Sequence, residues 1–171
     1  PFEQPLDIFK AFLSTYPNSR HRQEANEYLA NLYLNSKDYE SAMKAISAAG
    51  LDQPTMHGAY QKVAYFRGVQ HFNDIQYDAA RRLFNKSLDY PLNNVYAALA
   101  HYWLAEIAYR EDDFDGALIE IGKFEATPGS ATLSEYKRSL YNKGYAYFSK
   151  EDYRNAATTF RLFLNSAKLG T

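Results

Sequence analysis

The sequence predicts an all-α solenoid of antiparallel helix hairpins, and three observations carry that prediction. First, the phrase Asp38-Tyr39-Glu40-Ser41-Ala42 returns in altered form ending at Ala80, Ala117 and Ala156, at intervals of 38, 37 and 39 residues. Self-similarity at a period of roughly 20 to 50 residues marks one supersecondary unit that is copied and stacked. Second, apolar residues follow a helical rhythm from Asn18 to Ser166, with no sustained strand alternation. Third, Pro17, Pro54, Pro91 and Pro128 punctuate the longer joints, where a fixed φ and a missing N–H stop a helix.

In chain order the helices are predicted at 6–15, 20–35, 38–49, 58–73, 77–89, 94–110, 114–125, 132–149 and 153–166. Helix 6–15 carries Phe9-Lys10-Ala11-Phe12-Leu13, which reappears in helix 153–166 as Phe160-Arg161-Leu162-Phe163-Leu164, 151 residues later. The offset equals four repeat lengths, so the first helix reads as the second half of an earlier repeat. Repeat arrays need solubilising caps, and the chain is therefore expected to be a single repeat domain, 1–171, cut from a longer protein. Helix 20–35 starts after Pro17-Asn18-Ser19, and Gly50 is expected to end helix 38–49 in the left-handed conformation. Joints such as Asn35-Ser36-Lys37 and Glu111-Asp112-Asp113 are short enough for antiparallel hairpins. Ala30, Gly68, Ala105 and Gly144 each stand twelve residues before the repeated alanine. Small side chains at both places would let the paired helices approach closely.

Composition narrows the function. With 19 Lys and Arg against 20 Asp and Glu, the formal net charge is −1, and no basic concentration of the kind that grips a phosphate backbone is present. Nucleic acid is therefore not an expected partner. The chain has no cysteine, which removes disulfides, thiolate metal sites and a cysteine nucleophile. No apolar run approaches the length of a membrane span.

The small residue, the aromatic or apolar residue three or four places on, the Asp-Tyr-x-x-Ala phrase, the following aromatic or Ile, and the closing Pro together resemble the tetratricopeptide repeat. The best copies are Ala30, Tyr33, Ala42, Ile46, Ala49, Pro54 and Gly68, Ala80, Phe84, Pro91. The resemblance covers the chain as four repeats and a leading half, and implies a right-handed superhelix. Arg67 and Lys143 depart from it, standing where the family usually has Leu or Ile. The stretch from Phe9 to Ala42 looks like bacterial envelope members of the family, which implies a periplasmic or outer-membrane-associated location in preference to the cytoplasm.

In that family the first helix of each hairpin lines the concave groove. Carried over, the lining stripe is Glu27, Asn31, Leu34; Tyr65, Val69, Phe72; Tyr102, Glu106, Tyr109; and Tyr141, Tyr145, Phe148. The resemblance thus implies a non-catalytic scaffold that holds a protein or peptide through Asn31, Tyr65, Tyr102, Glu106, Tyr141 and Tyr145, since Tyr offers a large contact area and a hydroxyl at low entropic cost. Rings at helical spacing equally suit core between repeats, the role expected of Phe72, Tyr109 and Phe148. A chaperone-tail clamp of Lys and Asn is not matched, because Glu27, Tyr65, Tyr102 and Tyr141 hold the leading positions and only Asn31 fits.

Other chemistry finds little support. Glu111-Asp112-Asp113-Phe114-Asp115-Gly116 begins like a calcium loop, but the twelfth place is Gly122 instead of Glu, so a turn with acids at a helix start is expected. The four histidines lack zinc spacing, and no nucleophile, phosphate-loop or dinucleotide motif occurs. No enzyme activity, metal or cofactor is expected. The alternatives are a glycan-binding outer-membrane component, because aromatic platforms also stack on sugars, or a regulatory repeat region of a larger enzyme or sensor.

Overall fold

The computed structural model describes residues 3–50 and 54–168. Every regular element among them is helical: α1 (Glu3–Thr15), α2 (Arg22–Asn35), α3 (Tyr39–Ala49), α4 (Pro54–Asn73), α5 (Tyr77–Leu88), α6 (Asn94–Arg110), α7 (Phe114–Ala126), α8 (Glu135–Ser149) and α9 (Tyr153–Lys168), with a 3₁₀ turn at Ser130–Thr132. They form two compact units, one within Pro1–Leu92 and one within Asn93–Thr171. In the first unit α2 pairs with α3 and α4 with α5, while α1 lies against α2; in the second, α6 pairs with α7 and α8 with α9. This is the all-α helical-repeat solenoid class that the sequence predicts.

Two of the boundaries that differ from the sequence reading do so for identifiable reasons. Pro54 does not close a joint but is the first residue of α4, where its missing N–H is one of those a helix leaves unpaired anyway. The helix predicted from 132 starts at Glu135, because Gly129 turns left-handed (φ 87°) and Leu133 is extended (ψ 146°). Gly50 has the expected positive φ of 97°, but its ψ of 128° lies outside the left-handed helical region. It ends α3 through a single bond from its N–H to the Ile46 carbonyl.

The joints inside the hairpins share one geometry. Lys37, Ile75, Asp112 and Glu151 all have φ near +60°, and each lies five residues before the repeated alanine. The next residue then donates its N–H back to the preceding helix: Asp38 to Tyr33, Gln76 to His71, Asp113 to Ala108 and Asp152 to Tyr147, at 2.8–3.0 Å. These are paired-bond helix ends built on a left-handed residue. In three joints that donor also opens the following helix, because the carboxylates of Asp38, Asp113 and Asp152 accept from the N–H of Ser41, Gly116 and Asn155. Such caps stabilise a helix by about 1 kcal/mol. At the remaining joint Gln76 instead accepts from His71 Nδ1 at 2.5 Å. The acids from Glu111 to Asp113 thus serve a turn and a cap.

Close approach within hairpins rests on a size match. A Cβ on Gly68 would lie 2.7 Å from the Phe84 ring, and one on Gly144 would lie 2.7 Å from the Phe160 ring. Phe84 follows Gly68 by sixteen residues, as Phe160 follows Gly144, Ile46 follows Ala30 and Ile121 follows Ala105. Glycine is matched with phenylalanine and alanine with isoleucine in the same register. Since interiors are packed to near-crystalline density, the smaller backbone position makes room for the larger ring. Phe84, Ile46 and Ile121 are all fully buried or nearly so.

Candidate functional site

The six residues expected to line a groove divide sharply by exposure. Asn31 of α2 is exposed. Tyr65 of α4 is buried, its ring edge-on to Phe66 at 5.1 Å and tilted against Phe84 at 6.2 Å. Tyr102 and Glu106 of α6 are each only 3% exposed. Tyr141 and Tyr145 of α8 are 45% and 41% exposed. Of the expected groove tyrosines, Tyr65 and Tyr102 therefore serve as core, each within its own unit, and Tyr141 and Tyr145 reach the surface. Phe148, expected in the core, is 52% exposed, whereas Phe72 is buried and Tyr109 half-buried as core packing requires.

In the second unit, Glu106 is the centre of a buried polar network between α6 and α8. Its carboxylate accepts from the Tyr102 hydroxyl at 3.2 Å and from the Asn142 side-chain amide. Arg138 Nε lies 3.5 Å and Arg110 Nε 3.9 Å from the same carboxylate. A buried charge is tolerated only when it is paired and its lone pairs are used, and both conditions hold here. Tyr102 packs against Trp103 and Phe124. Burial above all, and then the Glu106 charge, push the Tyr102 hydroxyl well above the usual tyrosine range. Glu106 is therefore not a free polar contact between two surface tyrosines.

Sequence reading missed Arg138 and Asn142, although a signal was present. Glu106 follows the small residue Ala105 directly, a register held by Asn31, Val69 and Tyr145 in the other hairpins; Asn142 stands two before Gly144, where the others have Tyr28, Phe66 and Trp103. A lone acid and a lone amide departing from adjacent copies of one repeat mark a paired substitution.

Outside this network, α8 presents Tyr141, Tyr145 and Phe148, spaced four and three residues apart and hence on one helical face. The rings run on into their neighbours. Tyr145 is 5.8 Å from Tyr109 and 6.3 Å from Phe148, and Phe148 is 5.6 Å from Tyr153, itself 58% exposed. Tyr141 rests on Phe163 at 5.7 Å. Burial first, and then the proximity of Tyr145 and Tyr141, raise the Tyr109 hydroxyl above its ordinary value. Surface aromatics scattered singly need no explanation, but a connected set does.

Elsewhere on α6, His101 Nδ1 lies 2.7 Å from Glu120 of α7, whose other oxygen is 2.6 Å from Lys123. Burial works against the Glu120 charge, yet the hydrogen bonds from His101 and Lys123 outweigh it and hold the carboxyl below its usual range. This cluster ties one hairpin together. Among the described residues no group of three His, Asp or Glu is placed to hold a metal ion, and no helix is long and apolar enough to cross a membrane.

Comparison with known proteins agrees with this architecture. None of the curated proteins matches the chain. Among solved structures, the crystal structure of MamA is similar to it, with 21% sequence identity and a TM-score of 0.59 over 99% of this chain and 90% of that one. The family model for the tetratricopeptide repeat matches residues 76–131, which hold α5, α6 and α7. The same hairpin, joint and small-to-large register recur on both sides of that stretch, so the fold continues through the chain the architecture of the segment that matches the tetratricopeptide repeat.

Proposed function

We propose that this protein is a non-catalytic interaction scaffold, and that the face of α6 and α8 in its second unit holds a segment of a protein partner. The observation that carries this reading is the exposed run Tyr141, Tyr145 and Phe148, joined to Tyr109 and Tyr153 by ring contacts. Connected aromatics with access to solvent are the residues in which binding energy concentrates when a partner excludes water from them. The buried Glu106 network beneath fixes α8 against α6, so the rings are presented on a rigid support and little ordering entropy remains to be lost.

Peptides selected from a displayed library on the wild-type chain test the proposal. The double substitution Tyr145→Ala and Phe148→Ala should weaken their binding by tenfold or more, roughly what truncation of hot-spot rings produces. Both side chains are about half exposed, so the thermal midpoint should move little. Unchanged affinity would sink the assignment of this face.

A role in bacterial envelope assembly is the setting we propose, on the resemblance of Phe9 to Ala42 to envelope members of the family. Fractionation of the native host should then place the protein outside the cytoplasm. Recovery in the cytosolic fraction would refute that setting and leave the binding face untouched.

A further inference from the structure

Resting on the reading of the α8 face just given, we infer that the segment it holds is acidic as well as apolar, with a carboxylate seated on Arg138 beside a side chain packed on Tyr145 and Phe148. Charge is unbalanced on α6 and α8. These two helices carry four cations, Arg110, Lys137, Arg138 and Lys143, against two acids, Glu106 and Glu135, in a chain whose net charge is −1. Lys143 is neutralised by Glu125 of α7 at 2.6 Å. Glu135 has its carboxylate on the Ser134 hydroxyl at 2.8 Å. Glu106 is buried and faces inward donors, so it contributes attraction for Arg138 but offers no acceptor at the surface.

Arg138 is placed to act on a partner. Its side chain is 61% exposed while its Nε lies 3.5 Å from the Glu106 carboxylate. The guanidinium is thus held on one edge by a fixed anion and opens outward on the rest. Glu106 is a positioning residue in this arrangement. The next cation along the helix, Lys137, lies over the Phe163 ring at 5.6 Å, on the Tyr141 side. Beyond Glu135, α8 therefore carries two cations in its first turns, Lys137 and Arg138, and aromatic rings towards its end.

Spacing sets the shape of the ligand. Arg138 and Tyr145 are seven residues apart on α8, about 10 Å along the axis. An extended peptide covers that distance in roughly three residues. The preferred ligand is an extended segment with Asp or Glu about three positions from a Phe, Tyr or Leu. A bidentate guanidinium–carboxylate contact is among the strongest a surface site can make.

A library of labelled peptides, each with Phe or Leu and, about three residues away, Glu, Gln or Lys, separates the possibilities by fluorescence anisotropy. The expected order is Glu above Gln above Lys, with Glu favoured over Gln by about tenfold, the worth of one charge-assisted hydrogen bond. Arg138→Gln should erase the preference for Glu over Gln, Arg138→Lys should keep part of it, and high salt should reduce it. Equal binding of Glu and Gln peptides that is still lost in Tyr145→Ala with Phe148→Ala would overturn the acidic specificity and leave the docking face standing. If no member of the library binds the wild-type chain, both readings fall. Circular dichroism of each variant distinguishes lost recognition from lost fold.

Discussion

The first unit joins its hairpins with carbon, and the second joins them around a carboxylate. Between α2–α3 and α4–α5 lies one apolar cluster: Leu29, Ala30, Ile46, Ala49, Met56, Tyr60 and Val63, with Leu6, Phe9 and Leu13 of α1 packed against it. Between α6 and α8, beside the cluster of Ala98, Tyr102 and Phe124, the polar groups of Glu106, Asn142 and Arg138 enter the junction. The backbone motif is the same in both. Hairpin geometry comes from the joints and the small-to-large register, which leaves the chemistry between hairpins free to vary. A polar junction brings less nonspecific stability, but it specifies one alignment of α8 and leaves cations at the rim.

The largest effect that would test this contrast is Ile46→Ala. Ile46 is fully buried in the apolar junction, and its truncation should cost about 2–5 kcal/mol, read by denaturant unfolding. Second is Glu106→Leu, which leaves the Tyr102 hydroxyl and the Asn142 amide without their acceptor and should cost roughly 2–3 kcal/mol. A stable Glu106→Leu protein would mean that the second junction is apolar in its energetics despite its hydrogen bonds. Third, Gly68→Ala should lose about 1–3 kcal/mol by overpacking, and adding Phe84→Ile should recover most of it, because the pair then matches Ala30 with Ile46. Failure of the rescue would show that the Phe84 ring, and not its fit to Gly68, sets the spacing. The smallest effect concerns one joint from each unit. Ile75→Gly should raise stability by up to about 1 kcal/mol, since a β-branched residue is poorly suited to its φ of 60°. Asp112→Gly should gain less, because Asp tolerates that conformation better; thermal midpoints of the two variants give the comparison.

How legible the molecule was depends on which forces wrote each part. Helix positions were readable because periodicity, proline and the repeated Asp-Tyr phrase agree, and the pairing of Gly68 with the phrase ending at Ala80 pointed to the hairpin now seen closing on Phe84. The left-handed joints were not readable, since Lys37, Ile75, Asp112 and Glu151 lack the glycine that normally signals them. They are held by two backbone bonds that no side-chain pattern reports. The site was legible only as a stripe. Helical spacing placed Tyr102, Tyr141 and Tyr145 on groove-lining registers, but burial depends on what the adjacent helix supplies. Phe124 and Trp103 cover Tyr102, whereas Tyr141, with Phe163 and Phe160 beneath it, keeps a face in solvent. One position in a repeat can therefore be core in one copy and surface in the next.

The double duty of Asp38, Asp113 and Asp152 has a consequence for how such a chain can change length. Each finishes one helix with its N–H and begins the next with its carboxylate, so the three-residue joints have no slack, and a single inserted residue would separate the two tasks. The joints between hairpins are different: five residues separate α5 from α6, and eight separate α7 from α8. Gene duplication that breaks the chain in these longer connections copies a hairpin with both its closing turn and its cap, whereas a break three residues away from a cap delivers a helix with no proper start. The heritable module of this protein is the closed hairpin, and insertions, tags or grafted hairpins should be accepted at 89–93 and 127–134 well before they are accepted at 36–38 or 111–113.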